Sequence, residues 1–171
     1  LRVYMKARVL EVRDWARQHS PPECNNSAGR WVGDATWRTA IRTTIAGQQG
    51  EHSAELLVDL KKAFEHVDHA RLVRTARSYG YPLHTLRASL LAYAGPRRLT
   101  FLGYVSAPLW PTRGIAAGST TATYELWLLL APALRAPQTR HPRALLSLHV
   151  DDLSATTTAE DEAECAADAA R

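Results

Sequence analysis

Two adjacent carboxylates, Asp151 and Asp152, sit in the stretch LHVDDLSATTT between short apolar and β-branched runs, and a third, Asp59, lies near the end of the apolar run AELLVDL. Neighbouring carboxylates repel, and crowding them raises one pKa unless a cation neutralises the pair. If a strand ending on Asp59 lies beside the segment holding Asp151 and Asp152, all three converge at one sheet edge and outline a divalent-cation site. Hard oxygen ligands suit Mg²⁺, which keeps several waters and completes its octahedron with phosphate oxygens. Two such ions about 4 Å apart lower the pKa of an attacking hydroxyl and stabilise the leaving oxygen of an in-line displacement. That chemistry is phosphoryl or nucleotidyl transfer. A plainer reading stays open beside it, because an Asp-Asp pair at a hairpin tip is a common turn former with solvated side chains.

The elements that must position these residues follow from periodicity and punctuation. Apolar residues recur at Val9, Val12, Trp15 and Ala16 with arginines on the other face, which predicts a helix over Leu1 to His19 before SPPECNNSAG breaks the pattern. Asp34 is expected to cap a second helix through ATWRTAIRTTIAGQQ, with Ala40, Ile41 and Ile45 inward and Gly47 and Gly50 ending it. AELLVDL reads as a short buried strand. Two further helices are expected, one from His69 to Tyr79 stopped by Gly80, the other from Pro82 to Tyr93 stopped by Gly95. RRLTFLGYVS reads as a hairpin about Gly103; after the loop APLWPTRGIAAGS comes an apolar helix from Thr120 to Leu134, then a Pro-containing basic loop, RAPQTRHPR. The strands ALLSLHV and LSATTT flank the acidic pair and put Asp151 and Asp152 at a hairpin turn, and AEDEAECAADAA is an Ala-rich acidic helix. Strands interleaved with helices and joined by antiparallel hairpins predict an α/β (α+β) fold whose sheet is mixed and covered on one face.

Composition bounds the rest. At 171 residues and 46% hydrophobic the chain can bury a core, and its length suits one domain or one compact pair of lobes. Lys+Arg of 21 against Asp+Glu of 17 gives a formal charge of +4, which tolerates a polyanionic partner without demanding one. Cys24 and Cys165 have no metal-ligand spacing, so neither a disulfide framework nor a zinc site is indicated and a reducing compartment is the default. The longest apolar run, LWLLLAPAL, falls well short of the roughly 20 residues of a membrane helix. No signal peptide is read either, since the first residues alternate with Arg2, Lys6 and Arg8. Neither GxGxxG nor GxxxxGK[ST] occurs, and no Ser, His and Asp set announces itself by a local motif. The chain starts on Leu, so it is expected to be a piece of a longer protein.

LLVDLKKAFEHVDH, AYAGPRRLTFLGYVSAPLWPTRGIAAGS and LHVDDL occur in the order and at roughly the spacing of the reverse transcriptase domain of retroelements, and most of the chain resembles the non-LTR type. VDLKKAF resembles motif A, in which an aspartate ligates both metals and an aromatic residue five positions later stands under the incoming sugar. Here these are Asp59 and Phe64, with the backbone carbonyl of Leu60 a further implied ligand. A ring beneath the sugar leaves no room for a 2′-hydroxyl, the group by which RNA is told from DNA; read without the resemblance, Phe64 is more readily a core residue. GIAAGSTTATYELWLLL is similar to motif B, where Gly118 would let backbone approach a base pair and Ser119 begins a helix. HVDD resembles motif C, with Asp151 and Asp152 as metal ligands and Asp151 the stronger of the two. The chain departs from the pattern at Ala116 and Ala117, where the family usually has Pro-Gln, and at His149, where it has an aromatic residue. Upstream, AGRWVGDATWRTAI resembles the Gly-Arg and Asp-Ala pattern between fingers and motif A, and LRVYMKAR the helix after the basic fingers strand.

The resemblance implies a right-hand polymerase palm, α/β with a ferredoxin-like mixed or antiparallel sheet, plus helical fingers elements. Partial fingers would cover residues 1–52, the motif A strand 53–67, helices and a hairpin 68–110, and motifs B and C 111–171, all in one domain without its thumb. The implied activity is RNA-directed DNA polymerisation. Two Mg²⁺ ions, or Mn²⁺, held by Asp59, Asp151 and Asp152 would activate a primer 3′-hydroxyl against the α-phosphate of a deoxynucleoside triphosphate. The implied partners are an RNA template, a DNA primer and deoxynucleoside triphosphates, with no membrane and no obligate protein partner. Arg30, Arg97, Arg98 and Arg113 are candidate phosphate contacts, each also readable as a solvated cation. An intracellular address, nuclear or cytoplasmic, is expected without being specified. The segment alone is expected to be inactive, since primer grip and thumb lie outside it. Two alternatives stand: an inert remnant that binds nucleic acid through its arginines, and an RNA-directed RNA polymerase palm, against which Phe64 speaks.

Overall fold

The computed structural model describes residues 2–20, 24, 30–141 and 144–170. In chain order the elements are α1 (Arg2–His19), α2 (Val32–Gln48), β1 (His52–Asp59), α3 (His69–Ser78), α4 (Leu83–Tyr93), β2 (Thr100–Phe101), β3 (Tyr104–Val105), α5 (Ala122–Arg140), β4 (Leu145–His149), β5 (Asp152–Ala159) and α6 (Glu162–Ala170). Their mixture of helices with small antiparallel sheets is α/β (α+β) in class. The chain forms two compact units, Leu1–Trp15 with Lys62–Leu129, and Ala16–Lys61 with Leu130–Arg171. No helix among the described residues is long and apolar enough to cross a membrane.

The first unit is helical. Val9, Val12 and Trp15 form the buried stripe that the periodicity of α1 predicts, and Leu72, Leu86, Trp127 and Leu128 complete the core. The Trp15 ring meets Tyr81 and Trp127 edge-on, with centroids 5.0 and 5.1 Å away, and its indole N–H donates to the Tyr79 carbonyl at 2.9 Å. These edge-to-face pairs fix the rings beyond what area burial alone would do. Asp68 caps α3 by accepting from the Arg71 amide, and Gly80, at φ +63°, ends it as expected. The hairpin about Gly103 is present: Leu102 and Gly103 both have positive φ, the signature of a type I′ turn between β2 and β3.

The second unit is a three-stranded sheet in the order β1-β5-β4, antiparallel throughout rather than mixed. Strand β1 is not buried as its apolar run suggests; it lies at the sheet edge, and Leu57 is 73% exposed. Helix α2 also differs from expectation, because Ala40, Ile41 and Ile45 are exposed. Its less exposed stripe runs through Ala35, Thr39, Arg42 and Ala46, small and polar residues that apolar periodicity does not detect. Asp34 caps this helix from its third position, with Oδ2 accepting from the Trp31 amide at 2.8 Å. Helices cover both sheet faces, not one. Leu145 and Thr158 share a groove with Arg38, Ile41 and Ile45 of α2, whereas on the opposite face the Thr157 hydroxyl donates to the Cys165 carbonyl of α6. The basic Pro-containing stretch that reads as a loop continues α5 to Arg140, through Pro132 and Pro137. An interior proline costs roughly 3 kcal/mol. Here burial of Ala131 and Leu134 on the same helix opposes that cost, and the helix end is tied to the next strand by Gln138 Nε2 donating to the Ala144 carbonyl.

Candidate functional site

Sheet register decides which acids meet. Asp59 on β1 is directly opposite Asp152 on β5, and Asp152 is directly opposite His149 on β4. Residues opposed across antiparallel strands project to the same face with Cβ atoms about 4.5–5.5 Å apart. Asp59, Asp152 and His149 therefore form one row, with Leu57, Ser154 and Ser147 as the next row on that face. Both rows line a cavity of about 380 Å³ that Ala35 of α2 also borders. Its lining contains no Lys or Arg. Like charges directly opposite are destabilising, so this row is held against an electrostatic cost.

Asp151 lies one step off the row, in the two-residue turn Val150–Asp151 that joins β4 to β5. Val150 has φ +61° and Asp151 does not share the sign, the pattern of a type II′ turn. Glycine is the usual residue there; a β-branched one is an outlier, held at a cost of order 1–3 kcal/mol. His149 adds a second tension, since its Nδ1 is buried with no hydrogen-bond partner. An unsatisfied buried polar atom costs about 1–3 kcal/mol. Leu60, just past β1, turns its side chain to an apolar cavity lined by Leu56, Leu146 and Leu148, on the sheet face opposite the acidic row.

The carboxylate oxygens of this corner suit a hard divalent cation, with no competing side-chain cation in the cavity lining, whereas the orphaned imidazole nitrogen is a donor for softer metals. The fit extends to the placement of two carboxylates and not to a closed three-ligand set. Among the described residues no group of three or more His, Cys, Asp or Glu side chains is arranged to hold a metal ion.

Phe64, Gly118 and Ser119 belong to the helical unit, where backbone bonds tie the turn that holds Phe64 to Gly114 and Ile115 of the loop before α5. The Ile115 amide donates to the Phe64 carbonyl at 2.9 Å, and the Gly114 amide to the Val67 carbonyl at 2.7 Å. His69 Nε2 lies 2.7 Å from the Gly114 carbonyl. The turn after β1 and the loop before α5 are thus stitched into one strip, on which Phe64 is half-buried. Gly118 takes φ +83°, and the Ala122 amide donates to the Ser119 carbonyl as α5 begins. Of the arginines, Arg30 donates to the Cys24 carbonyl at 2.7 Å. Arg97, in a backbone bridge with Leu109, Arg98, 3.3 Å from the Ser106 carbonyl, and Arg113 are exposed.

Sequence reasoning passed over Glu125. It is fully buried on α5, where its Oε2 accepts from the Tyr93 hydroxyl at 2.6 Å and its Oε1 from the Thr121 hydroxyl at 2.9 Å, with Ser89 3.1 Å from Thr121. Burial, the largest influence, holds its carboxyl above the ordinary range, and the same burial with the nearby carboxylate raises the Tyr93 phenol. The available signal was a lone acid inside the apolar run TYELWLLL, with Thr121 one helical turn before it. No family model matches the chain, and no curated protein is found to match it.

Proposed function

We propose that the chain carries the palm motifs of an RNA-directed DNA polymerase of the reverse transcriptase type. The observation that carries this reading is the register pairing of Asp59 with Asp152 at the end of β1, beside the strained Val150–Asp151 turn. Asp59, Asp151 and Asp152, with the Leu60 carbonyl, would hold two Mg²⁺ ions, or Mn²⁺, and for this Asp151 has to swing from its turn onto the acidic row. The ions, when bound, supply charge neutralisation and a more acidic primer 3′-hydroxyl. The chain's own work is positioning: a rigid β5 holds one carboxylate, β1 holds its partner, and the hairpin turn presents the third. Phe64 would exclude the 2′-hydroxyl of an incoming ribonucleotide, and the Gly118–Ser119 loop would lie along the nascent base pair. RNA template, DNA primer and deoxynucleoside triphosphates are the proposed partners, with phosphates meeting Arg97, Arg98 and Arg113 and, less directly, Arg30.

A second reading is an inert remnant that still binds nucleic acid. Ala116 and Ala117 in place of Pro-Gln, and carboxylates that do not close on a common point, favour it. The deciding experiment titrates Mn²⁺ into the chain while following amide resonances, and in parallel offers Mg²⁺, a DNA primer on an RNA template and deoxynucleotides to the same residues restored to a full-length parent chain. The polymerase reading expects paramagnetic broadening centred on Asp59 and on the 149–152 hairpin, together with extension that Asp151→Asn abolishes. Broadening without extension moves the conclusion to the remnant. No broadening at the hairpin refutes the metal site.

A further inference from the structure

Helix α4 lines a groove that shares no residue with the acidic row. Leu83, Leu86, Leu90, Leu91 and Ala94 recur at helical spacing and line an open groove of about 640 Å³, bordered also by Val73 of α3 and by Trp110. Leu91 is 70% and Trp110 68% exposed. Arg77 and Arg87 form part of the same lining, which contains no acid. The charge around it is one-sided over a long stretch: residues 69–124 contain seven arginines and no Asp or Glu. Glu11, the carboxylate that reaches α4 from α1, is already engaged by Arg8 and His84.

We propose that this groove binds an amphipathic, acidic helix of a partner protein, its apolar ridge seated on the leucines of α4 and its flanking carboxylates paired with Arg77 and Arg87. An apolar groove with i, i+3, i+7 anchors is the complement of such a helix, and Arg-carboxylate pairs set its orientation. Among the described residues, neither α2 nor α6 of a second copy supplies a match. The exposed apolar residues of α2, Trp37, Ile41 and Ile45, are interleaved with Arg38 and Arg42, which repel the groove's arginines, whereas the acidic α6 offers only alanines as exposed apolar groups. Nucleic acid meets the charge but not the aliphatic wall, where a base finds one indole to stack on and few hydrogen-bonding groups.

The test uses the 171-residue chain and a fluorescein-labelled synthetic helix with leucines at that spacing and glutamates on both flanks, read by anisotropy at low and high salt. Binding is expected to saturate and to weaken with salt. Leu91→Ser and Arg87→Glu, both at exposed positions and checked for fold by circular dichroism, are each expected to weaken it about tenfold, a step of about 1.4 kcal/mol. A lysine-flanked version of the peptide should fail on the natural chain and gain on Arg87→Glu. Absence of saturable binding overturns the proposal. So does displacement of the peptide by an oligodeoxynucleotide that Leu91→Ser also releases, or a self-dimer in sedimentation that blocks the peptide. None of these readouts depends on metal binding or primer extension, so they stand or fall apart from the polymerase reading.

Discussion

Replacing Glu125 by Gln keeps the shape of the side chain while removing its charge, and this isolates what a buried carboxyl costs the helical unit. Its folded pKa lies above the unfolded value of 4.5 because burial penalises the charged form. The stability that depends on the neutral form is therefore complete below about pH 4.5 and is lost as pH rises through the raised folded value. Over that window the natural chain should lose up to about 1.36 kcal/mol per pH unit relative to Glu125→Gln, whose amide oxygen can still accept from Tyr93. The partner substitution gives the opposite signature. Tyr93→Phe removes one of the two donors to the carboxyl, at a cost of roughly 1.5–3 kcal/mol once the acid is charged and about 0.5–1.5 kcal/mol while it is neutral. At roughly 2–4 °C per kcal/mol for a chain of this size, the larger loss lowers Tm by about 3–12 °C. Urea titrations of both variants across mildly acidic and mildly alkaline pH would measure this, with tryptophan fluorescence reporting from Trp15 and Trp127 in the same core. Parallel pH dependence in the natural chain and Glu125→Gln would refute the reasoning, since it would mean that the acid titrates alike in both states.

Three further outcomes follow from the acidic corner and the strip beside Phe64. Asp152→Asn removes a like charge opposite Asp59 and is expected to raise stability by about 0.2–1 kcal/mol in metal-free buffer while weakening the Mn²⁺ broadening at the hairpin, so thermal melts and metal binding should move in opposite directions. Val150→Gly releases a positive-φ β-branched residue; after the added chain entropy of glycine and the loss of a half-buried side chain, a net gain of about 1 kcal/mol is expected in urea unfolding. Gly114→Ala puts a Cβ 3.1 Å from the Glu65 carbonyl oxygen at φ +89°, and a loss of about 2 kcal/mol, with faster hydrogen exchange at Ile115, should show that the strip has opened.

The elements were legible wherever local signals were self-sufficient. Asp68 and Gly80 punctuate α3, and Leu102–Gly103 turns the ribbon, because caps and turns are decided by a few adjacent residues. Errors arose where tertiary packing overrode the local pattern. Pro137 of RAPQTRHPR argues for a loop, yet α5 runs through it to Arg140, with Ala131 and Leu134 buried on the same helix. The isoleucines of α2 argue for an inward face, yet the helix turns Ala35, Thr39, Arg42 and Ala46 away from solvent instead, a choice that depends on the sheet beneath and not on the helix itself.

The acidic pair was visible in the sequence, but its geometry is set on the other side of the sheet. The turn Val150–Asp151 fixes only the local pairing of His149 with Asp152. What brings Asp59 opposite them is the row that shares no chemistry with the site: Leu56 opposite Ala155 opposite Leu146, and Val58 opposite Leu153 opposite Leu148. A slip of one residue in β1 would move Val58, half-buried in the row of Leu153 and the buried Leu148, onto the polar face, although the exposure of Leu56 and Leu57 makes this only a partial constraint on the register. With Val58 opposite Leu153, the next pair along the strands is Asp59 opposite Asp152, so the two acids meet as a consequence of the apolar pairing beside them. Replacing Leu153 or Leu148 with a polar residue should therefore loosen the carboxylate pairing without touching either acid, a consequence that a site held together by its own contacts would not share.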